Sequence, residues 1–328
     1  MPLDTRPRPG AAPAPAGSTA RSICVIANPG SGKRDPGLFD DIRQTICADG
    51  RTCDLREAKH GSEIETLARA AVDEGFDVVA AAGGDGTIAA VAGAIFAARD
   101  KMDRLPHLGI IPLGTFNYVA RSLNIPQEAP AEAARLLLEA PDQPLAIGEV
   151  NGKVFLNNAS LGAYPAILDQ REGIYRKWGR SRVAAYWSVL RALSTLGKPL
   201  SMKIEVDGQR VRKKSPLAFV ANSSYQIEEF ALPGADDVRN GNFALYLAPD
   251  TGRYGLILRA LRLAGRVARP GRDLEMIAAR EVTITTRQSQ RLVARDGEKE
   301  RLSSPFRFRL HTDVMRVIAP VADDTPDT

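Results

Sequence analysis

Along the first half of the chain, short unbroken apolar runs alternate with stretches in which apolar residues recur every three or four positions. The runs at 22–27 (SICVIA), 77–82 (DVVAAA) and 107–112 (HLGIIP) are bounded by turn-forming residues and are too short for stable helices, so they predict buried strands. Arg51 to Ala58 predicts a further strand. The periodic stretches at 36–48, 61–74, 88–99 and 130–140 predict helices, with another short one ending near Arg121. In the second of these, Ile64, Leu67, Ala68, Ala71 and Val72 share one face, Ser62 is placed to cap, and Glu65 stands where a capping box needs its acid. Such β-α alternation implies a mostly parallel sheet with helices on both faces.

The pattern changes near residue 142. Residues 145–158, 201–213, 216–222, 243–248, 281–286, 291–295 and 306–310 all read as strands, and Asn151-Gly152 and Asp207-Gly208 are the turn pairs that hairpins favour. The second half is therefore expected to be an antiparallel β-domain, interrupted by helical insertions at 165–196 and 252–268. The expected organisation is a tail over 1–20 rich in Pro, Ala and Gly, an α/β domain over 21–143, a β-sandwich over 144–320 and a tail over 321–328. There is no internal repeat.

Composition narrows the class only a little. The 328 residues are 44% hydrophobic and 25% charged, the balance of a soluble globular protein. The formal charge of +5 suits an anionic membrane surface, a nucleotide or a nucleic acid and selects none of them. Cys24, Cys47 and Cys53 are odd in number and lack CxxC spacing, which argues against a disulfide framework or a zinc site and fits a reducing cytosol. The N-terminus has no apolar core of signal-peptide length, and no stretch approaches the roughly 18 apolar residues of a membrane span. Any membrane contact is expected to be peripheral.

The chemistry lies in three glycine-rich turns, each following a predicted strand: Asn28 to Gly32, Gly83 to Thr87, and Gly114 to Asn117. In a parallel sheet the strand C-termini share one edge, where ligands bind. Glycines let the backbone approach an anion, and helix N-termini offer free N–H groups to phosphate. Two familiar motifs fail. Gly32-Lys33 ends like a P-loop, yet Ala27 stands at its first glycine and Arg34 at its Ser/Thr. Gly84 to Ala89 matches GxGxxA, but no acid ends the next strand at Ile111-Pro112. Asp85 beside phosphates makes sense if magnesium bridges them, or as the cap of the following helix, and the two roles can coexist.

Residues 28–32 (NPGSG), 83–87 (GGDGT), 112–117 (PLGTFN), the stretch Phe155-Leu156-Asn157 through Gly162, and Asp296-Gly297-Glu298 occur in that order. Together, from about residue 22 to 318, they resemble the diacylglycerol kinase catalytic-domain family, which includes sphingosine kinases and bacterial lipid kinases. GGDGT alone is shared with NAD kinases; PLGTxN and the late DGE make the resemblance specific. It implies a nucleotide-binding domain like that of NAD and diacylglycerol kinases, a β-sandwich, and an active site in the cleft between them. It implies ATP and Mg2+, with Gly83, Gly84, Asp85, Gly86 and Thr87 on the phosphates and Asp85 toward the metal. Asn28, Ser31, Gly32 and Lys33 would line the nucleotide site, with Gly114, Thr115 and Asn117 near the phosphates. Asp296 would be the general base on a substrate hydroxyl. Glu298 would point the same way in an extended segment, assisting with metal or orienting a partner. On local sequence alone Asp296-Gly297 is also a type I′ hairpin turn.

Two positions depart from the family pattern. Tyr118 stands where Asp usually follows GTxN, and Arg239-Asn240-Gly241 replaces an acidic DDG-like element, near Asp236 and Asp237. Lys33, Arg34 and Arg121 are the nearby basic candidates for phosphate. Residues 171–182 mix basic and aromatic side chains, followed by Tyr186 and Trp187, and 254–268 place Arg259, Arg262, Arg266 and Arg269 along one helical face. Both suit an anionic interface as well as ordinary surface packing. The expected function is a cytoplasmic, peripherally membrane-associated lipid kinase that binds no nucleic acid. The rivals are an NAD kinase-like small-molecule kinase and an inactive nucleotide-binding or membrane-adaptor protein. The oligomeric state is left open, a homodimer included.

Overall fold

The computed structural model describes residues 21–31, 37–48, 51–162, 199–264 and 271–321. Its first half alternates as expected: β1 (Ile23–Ala27), α1 (Leu38–Ile46), β2 (Cys53–Glu57), α2 (Ile64–Asp73), β3 (Val78–Gly83), α3 (Asp85–Ala97), β4 (His107–Pro112), α4 (Tyr118–Ser122) and α5 (Pro130–Glu139). The second half carries β5 (Asp142–Val150), β6 (Lys153–Phe155), β7 (Asn158–Gly162), β8 (Leu200–Val206), β9 (Gln209–Ser215), β10 (Leu217–Ala221), α6 (Ser224–Glu229), α7 (Ala235–Arg239) and β11 (Phe243–Leu247). It continues with α8 (Gly252–Ala264), β12 (Glu275–Ala279), β13 (Glu281–Thr286), β14 (Gln290–Arg295), β15 (Glu298–Ser303) and β16 (Phe306–Ile318).

Two sheets result. The larger runs β2-β1-β3-β4-β16-β13-β8-β9, with β5 against β16 and β6 against β5; the smaller runs β12-β11-β10-β7-β14-β15. Pairing is parallel through β2, β1, β3 and β4, as an α/β half requires, and antiparallel throughout the smaller sheet. The fold is thus an α/β layer with a mostly parallel sheet followed by an antiparallel β-sandwich. β16 joins the two: it pairs with β13 at its start and reaches β4 in parallel at Val317, while β5 lies along its other edge.

Burial explains the elements. β1 is buried at all five positions because helices cover both faces. In the sandwich, β8 buries Leu200, Met202 and Ile204 and β16 buries Phe306 and Phe308, alternate residues in each case. These pack against Leu161, Val220, Phe243 and Val293 of the smaller sheet, with the Phe155 and Phe243 rings stacked at 5.6 Å. The outer face of the smaller sheet, at Ala244 and Tyr246, is covered by Ile227 of α6 and by Val238 of α7.

Four sequence expectations need correction. Ser62 does not cap α2. A 3-10 turn occupies Gly61–Glu63, the helix starts at Ile64, and the Glu63 carboxylate accepts the Lys59 N–H at 2.9 Å while Glu65 pairs with Arg69. Cys47 and Cys53 form a disulfide, against the reading of the three cysteines. The end of α1 and the start of β2 bring their Cα atoms to 5.4 Å, within bridging range. α3 begins at Asp85, three residues before the predicted helix, so the GGDGT turn is itself a helix start. β12, β15, α6 and α7 are elements that the hydrophobic pattern does not predict, because they are short or polar. The 1–20 and 322–328 tails, and with them residues 163–198 that contain the first insertion, Tyr186 and Trp187, lie outside the described residues.

Candidate active site

Three turns at the C-terminal edge of β1, β3 and β4 meet as the sequence implied. The Asn28 backbone N–H donates to Ala82 O (2.9 Å), its side-chain amide donates to the Thr87 hydroxyl (3.1 Å), and its Oδ1 accepts from Gly30 N–H (3.0 Å). Ser31 N–H closes this loop on Asn28 O at 2.9 Å. Glycine is required where the second and third turns touch: a methyl on Gly114 would sit 2.5 Å from the Gly84 Cα, with no room to move. Asn117 adopts a left-handed conformation (φ 50°), and its buried side chain clamps both backbone groups of Gly114 at 3.0 Å. The PLGTFN loop is therefore rigid, with Thr115 and Phe116 on its exposed rim. α3 has Gly84 as its N-cap with no side-chain cap, leaving its first N–H groups for an anion. Gly32, Lys33 and Arg34 lie outside the described residues. Arg121 donates from Nε to Phe116 O at 2.8 Å, stapling its own loop.

Asp85 looks toward the second half. Its carboxylate accepts at 3.4 Å from the Val119 backbone N–H and at 3.4 Å from the Asn157 side-chain amide. Burial pushes its pKa up, while these donors and the N–H groups of Asn117 and Tyr118 pull it down. It thus caps α4 rather than its own helix.

Asp296 lies across from it. The Asp296-Gly297 pair turns the β14–β15 hairpin with φ 45° and 91°, so the hairpin reading of this dipeptide holds as well. Its carboxylate accepts three consecutive backbone N–H groups, from Leu156 (2.6 Å), Asn157 (2.8 Å) and Asn158 (3.0 Å). Burial raises its pKa to about 6 against the pull of those donors, and the charge of Asp85 adds to the rise. Glu298 stands over the first turn of α3: a methyl on Gly86 would lie 3.8 Å from Glu298 Oε1.

A row of buried amides surrounds this junction, which the sequence pattern does not predict. Asn157, Asn158, Asn222 and Gln226 are all buried. Asn222 N–H donates to Asn157 O (2.8 Å), and its amide donates to Ala146 O and Leu156 O (both 3.0 Å). Asn158 donates to Gln226 Oε1 at 2.9 Å. The available signal was Asn-Asn directly after an apolar strand, since buried polar side chains need specific partners.

The residues suit a magnesium ion carried by a nucleotide, which needs only one or two protein carboxylates. Asp85 is such a carboxylate, and the Asn157 Oδ1 beside it has no hydrogen-bond partner among the described residues. They do not suit a dedicated metal cage: no cluster of three His, Cys, Asp or Glu side chains occurs among the described residues. At the departed acidic element, Arg239 binds Asp236 at 2.7 Å and also pairs with Glu228. Tyr118 fills its position with an aromatic stack, its ring parallel to Phe116 at 5.7 Å and tilted against Tyr225 at 6.5 Å.

Residues 22–150 match the model of the diacylglycerol kinase catalytic domain. The chain is 36% identical over 188 residues to a diacylglycerol kinase of Bacillus subtilis, covering 56% of this chain and 59% of that protein. It is 37% identical over 126 residues to a probable lipid kinase YegS-like of Pseudomonas aeruginosa, covering 38% of this chain and 40% of that protein. These matches span about six-tenths and four-tenths of the relatives' own lengths. A crystal structure of a diacylglycerol kinase from Bacillus anthracis superposes with a TM-score of 0.71 at 22% identity, over 93% of this chain and 99% of that one, which shows the shared fold. The resemblance to the diacylglycerol kinase catalytic-domain family, drawn above from five short motifs, is borne out.

Proposed function

We propose that this chain is an ATP-dependent lipid kinase that transfers the γ-phosphoryl group to a lipid hydroxyl of the diacylglycerol or sphingoid type. One observation carries the reading: the Asp296 carboxylate, desolvated and held by three N–H groups, is linked through Asn157 to the Asp85 turn at the phosphate-binding edge. The turns at Asn28, Gly84 and Gly114, with the start of α3, receive the phosphates. Asp296 accepts the proton of the substrate hydroxyl as its oxygen bonds to the γ-phosphorus and ADP departs. A pKa near 6 leaves Asp296 ionised at neutral pH yet basic enough to take that proton. Magnesium, when bound with ATP at Asp85, would supply positive charge against the phosphate oxygens.

Peripheral membrane docking from the cytoplasm belongs to the same proposal. Tyr254 and Leu258, one turn apart on α8, are 90% and 50% exposed. The basic face is narrower than the sequence implied, because Arg259 and Arg262 both pair with the buried Asp273, at 3.5 and 3.2 Å. Arg266 and Arg269 lie outside the described residues. Among the described residues, no helix is long and apolar enough to cross a membrane.

The Tyr118 stack and the Arg239 ion pairs favour one rival, a non-catalytic nucleotide-binding protein. Purified protein with labelled ATP and magnesium, given a lipid panel in mixed micelles beside NAD, decides by thin-layer chromatography. The expected result is a labelled lipid with wild type and none with Asp296→Asn. Labelled NAD would favour the NAD kinase-like rival, and equal traces from both proteins would end the catalytic assignment.

A further inference from the structure

We propose that Asn157 is a positioning residue that fixes the separation between the Asp85 turn of the larger sheet and the Asp296 hairpin of the smaller one. Asn157 sits in the connection between β6 and β7, and it contacts both carboxylates with different atoms. Its backbone N–H donates to Asp296 Oδ1 at 2.8 Å, while its side-chain Nδ2 donates to Asp85 Oδ1 at 3.4 Å. It is only 2% exposed, between two partly buried carboxylates.

The backbone around it is held from a third side. Asn222, just past β10, donates its N–H to Asn157 O and its amide to Leu156 O, the residue before. The peptide that feeds Asp296 is therefore held in place from both sides. The freedom that remains is rotation of the Asn157 side chain, and the Asp85 bond fixes that. An apolar residue of this size would leave two carboxylates facing across an unbridged gap, where like charges repel. The amide is the group that donates to one of them without adding charge. The catalytic part of the inference rests on the lipid kinase reading, since a phosphoryl donor bound at the first turns and a hydroxyl held at Asp296 react only when the two supports are in register.

The test uses two readouts. In the first, urea unfolding is measured for Asp85→Asn, Asn157→Asp and the double variant, which exchanges the two groups. Asn157→Asp alone sets three carboxylates around one gap and is expected to lower the unfolding midpoint most. The exchange restores one amide facing one carboxylate and is expected to recover more than half of that loss. Additive losses in the double variant would overturn the proposal. If Asn157→Asp does not fold, the cycle is closed with Asn157→Ala and Asp85→Ala, and non-additivity remains the criterion. In the second readout, Asn157→Ala is assayed with ATP and diacylglycerol micelles. The expected result is a fall in kcat of about 10- to 100-fold with KM for ATP within about twofold, the mark of misplaced rather than lost groups. Unchanged kcat would also overturn it. A wild type with no phosphoryl transfer at all, together with a non-additive cycle, would instead retain the positioning role and remove the kinase reading.

Discussion

The β8–β9 hairpin and the β14–β15 hairpin turn on the same dipeptide. Asp207-Gly208 has φ of 45° and 86°, and Asp296-Gly297 has 45° and 91°, so the two turns are locally equivalent. They differ in what lies opposite. Asp207 is exposed at the outer end of the larger sheet, and its side chain accepts one backbone N–H, from Glu281 at 3.2 Å. Asp296 faces the connection into β7 and accepts three. A dipeptide sets the turn; the neighbouring segment decides whether its carboxylate becomes a chemical group.

The largest expected contrast is in catalysis. Asp296→Asn is expected to lower kcat by about 10²- to 10⁴-fold, the range for loss of a general base, while Asp207→Asn stays within about twofold of wild type. Comparable losses in the two variants, measured by phosphoryl transfer to diacylglycerol, would erase the distinction.

The next contrast is in stability against pH. The folded chain holds the Asp296 proton up to about 6, whereas the ordinary value is 3.8. Between these values the folded state binds the proton more tightly than the unfolded chain. The stabilisation is full below the ordinary value and is lost as pH rises through the folded one. A shift of roughly two units corresponds to about 3 kcal/mol, so wild type should lose about that much relative to Asp296→Asn between pH 4 and 7. Urea midpoints for both proteins across that range test this, and parallel curves would mean that Asp296 is not desolvated.

The smallest contrast is in the glycines. No atom lies within 4 Å of a methyl added at Gly208 or Gly297, so Gly208→Ala and Gly297→Ala meet only the penalty of a left-handed backbone. About 1–2 kcal/mol is expected for each, equal in thermal unfolding. Activity should separate them, falling only for Gly297→Ala, because only that strained turn carries the Asp296 carboxylate.

What could be read in advance follows the range of each interaction. The buried runs at β1, β3 and β4 and the glycine turns after them are local patterns, and the strands appeared within a residue or two of the expected bounds. The meeting of the Asn28, Gly84 and Gly114 turns at one sheet edge was legible for the same reason. The bridging bonds of Asn157 and Asn222 were not, because their partners lie far along the chain: Asn157 binds Asp85 and Asp296, 72 and 139 positions away. The Cys47–Cys53 bridge was missed because counting cysteines ignores that a helix end and a strand start lie side by side. The Ser62 cap failed because Ser62 lies inside the Gly61–Glu63 3-10 turn and the helix starts only at Ile64.

β16 has a consequence for the order in which the molecule can be completed. The inner edge of β4 pairs with β16 at Val317, and β5 pairs with residues 308–311 and 315–318 of the same strand. During synthesis the α/β half emerges first, and among the described residues the free edge of β4 finds its neighbour only when β16 follows. Shortening the chain before Phe306 would therefore do more than trim an end. It would open the larger sheet in the middle and expose sticky backbone on both sides of the break.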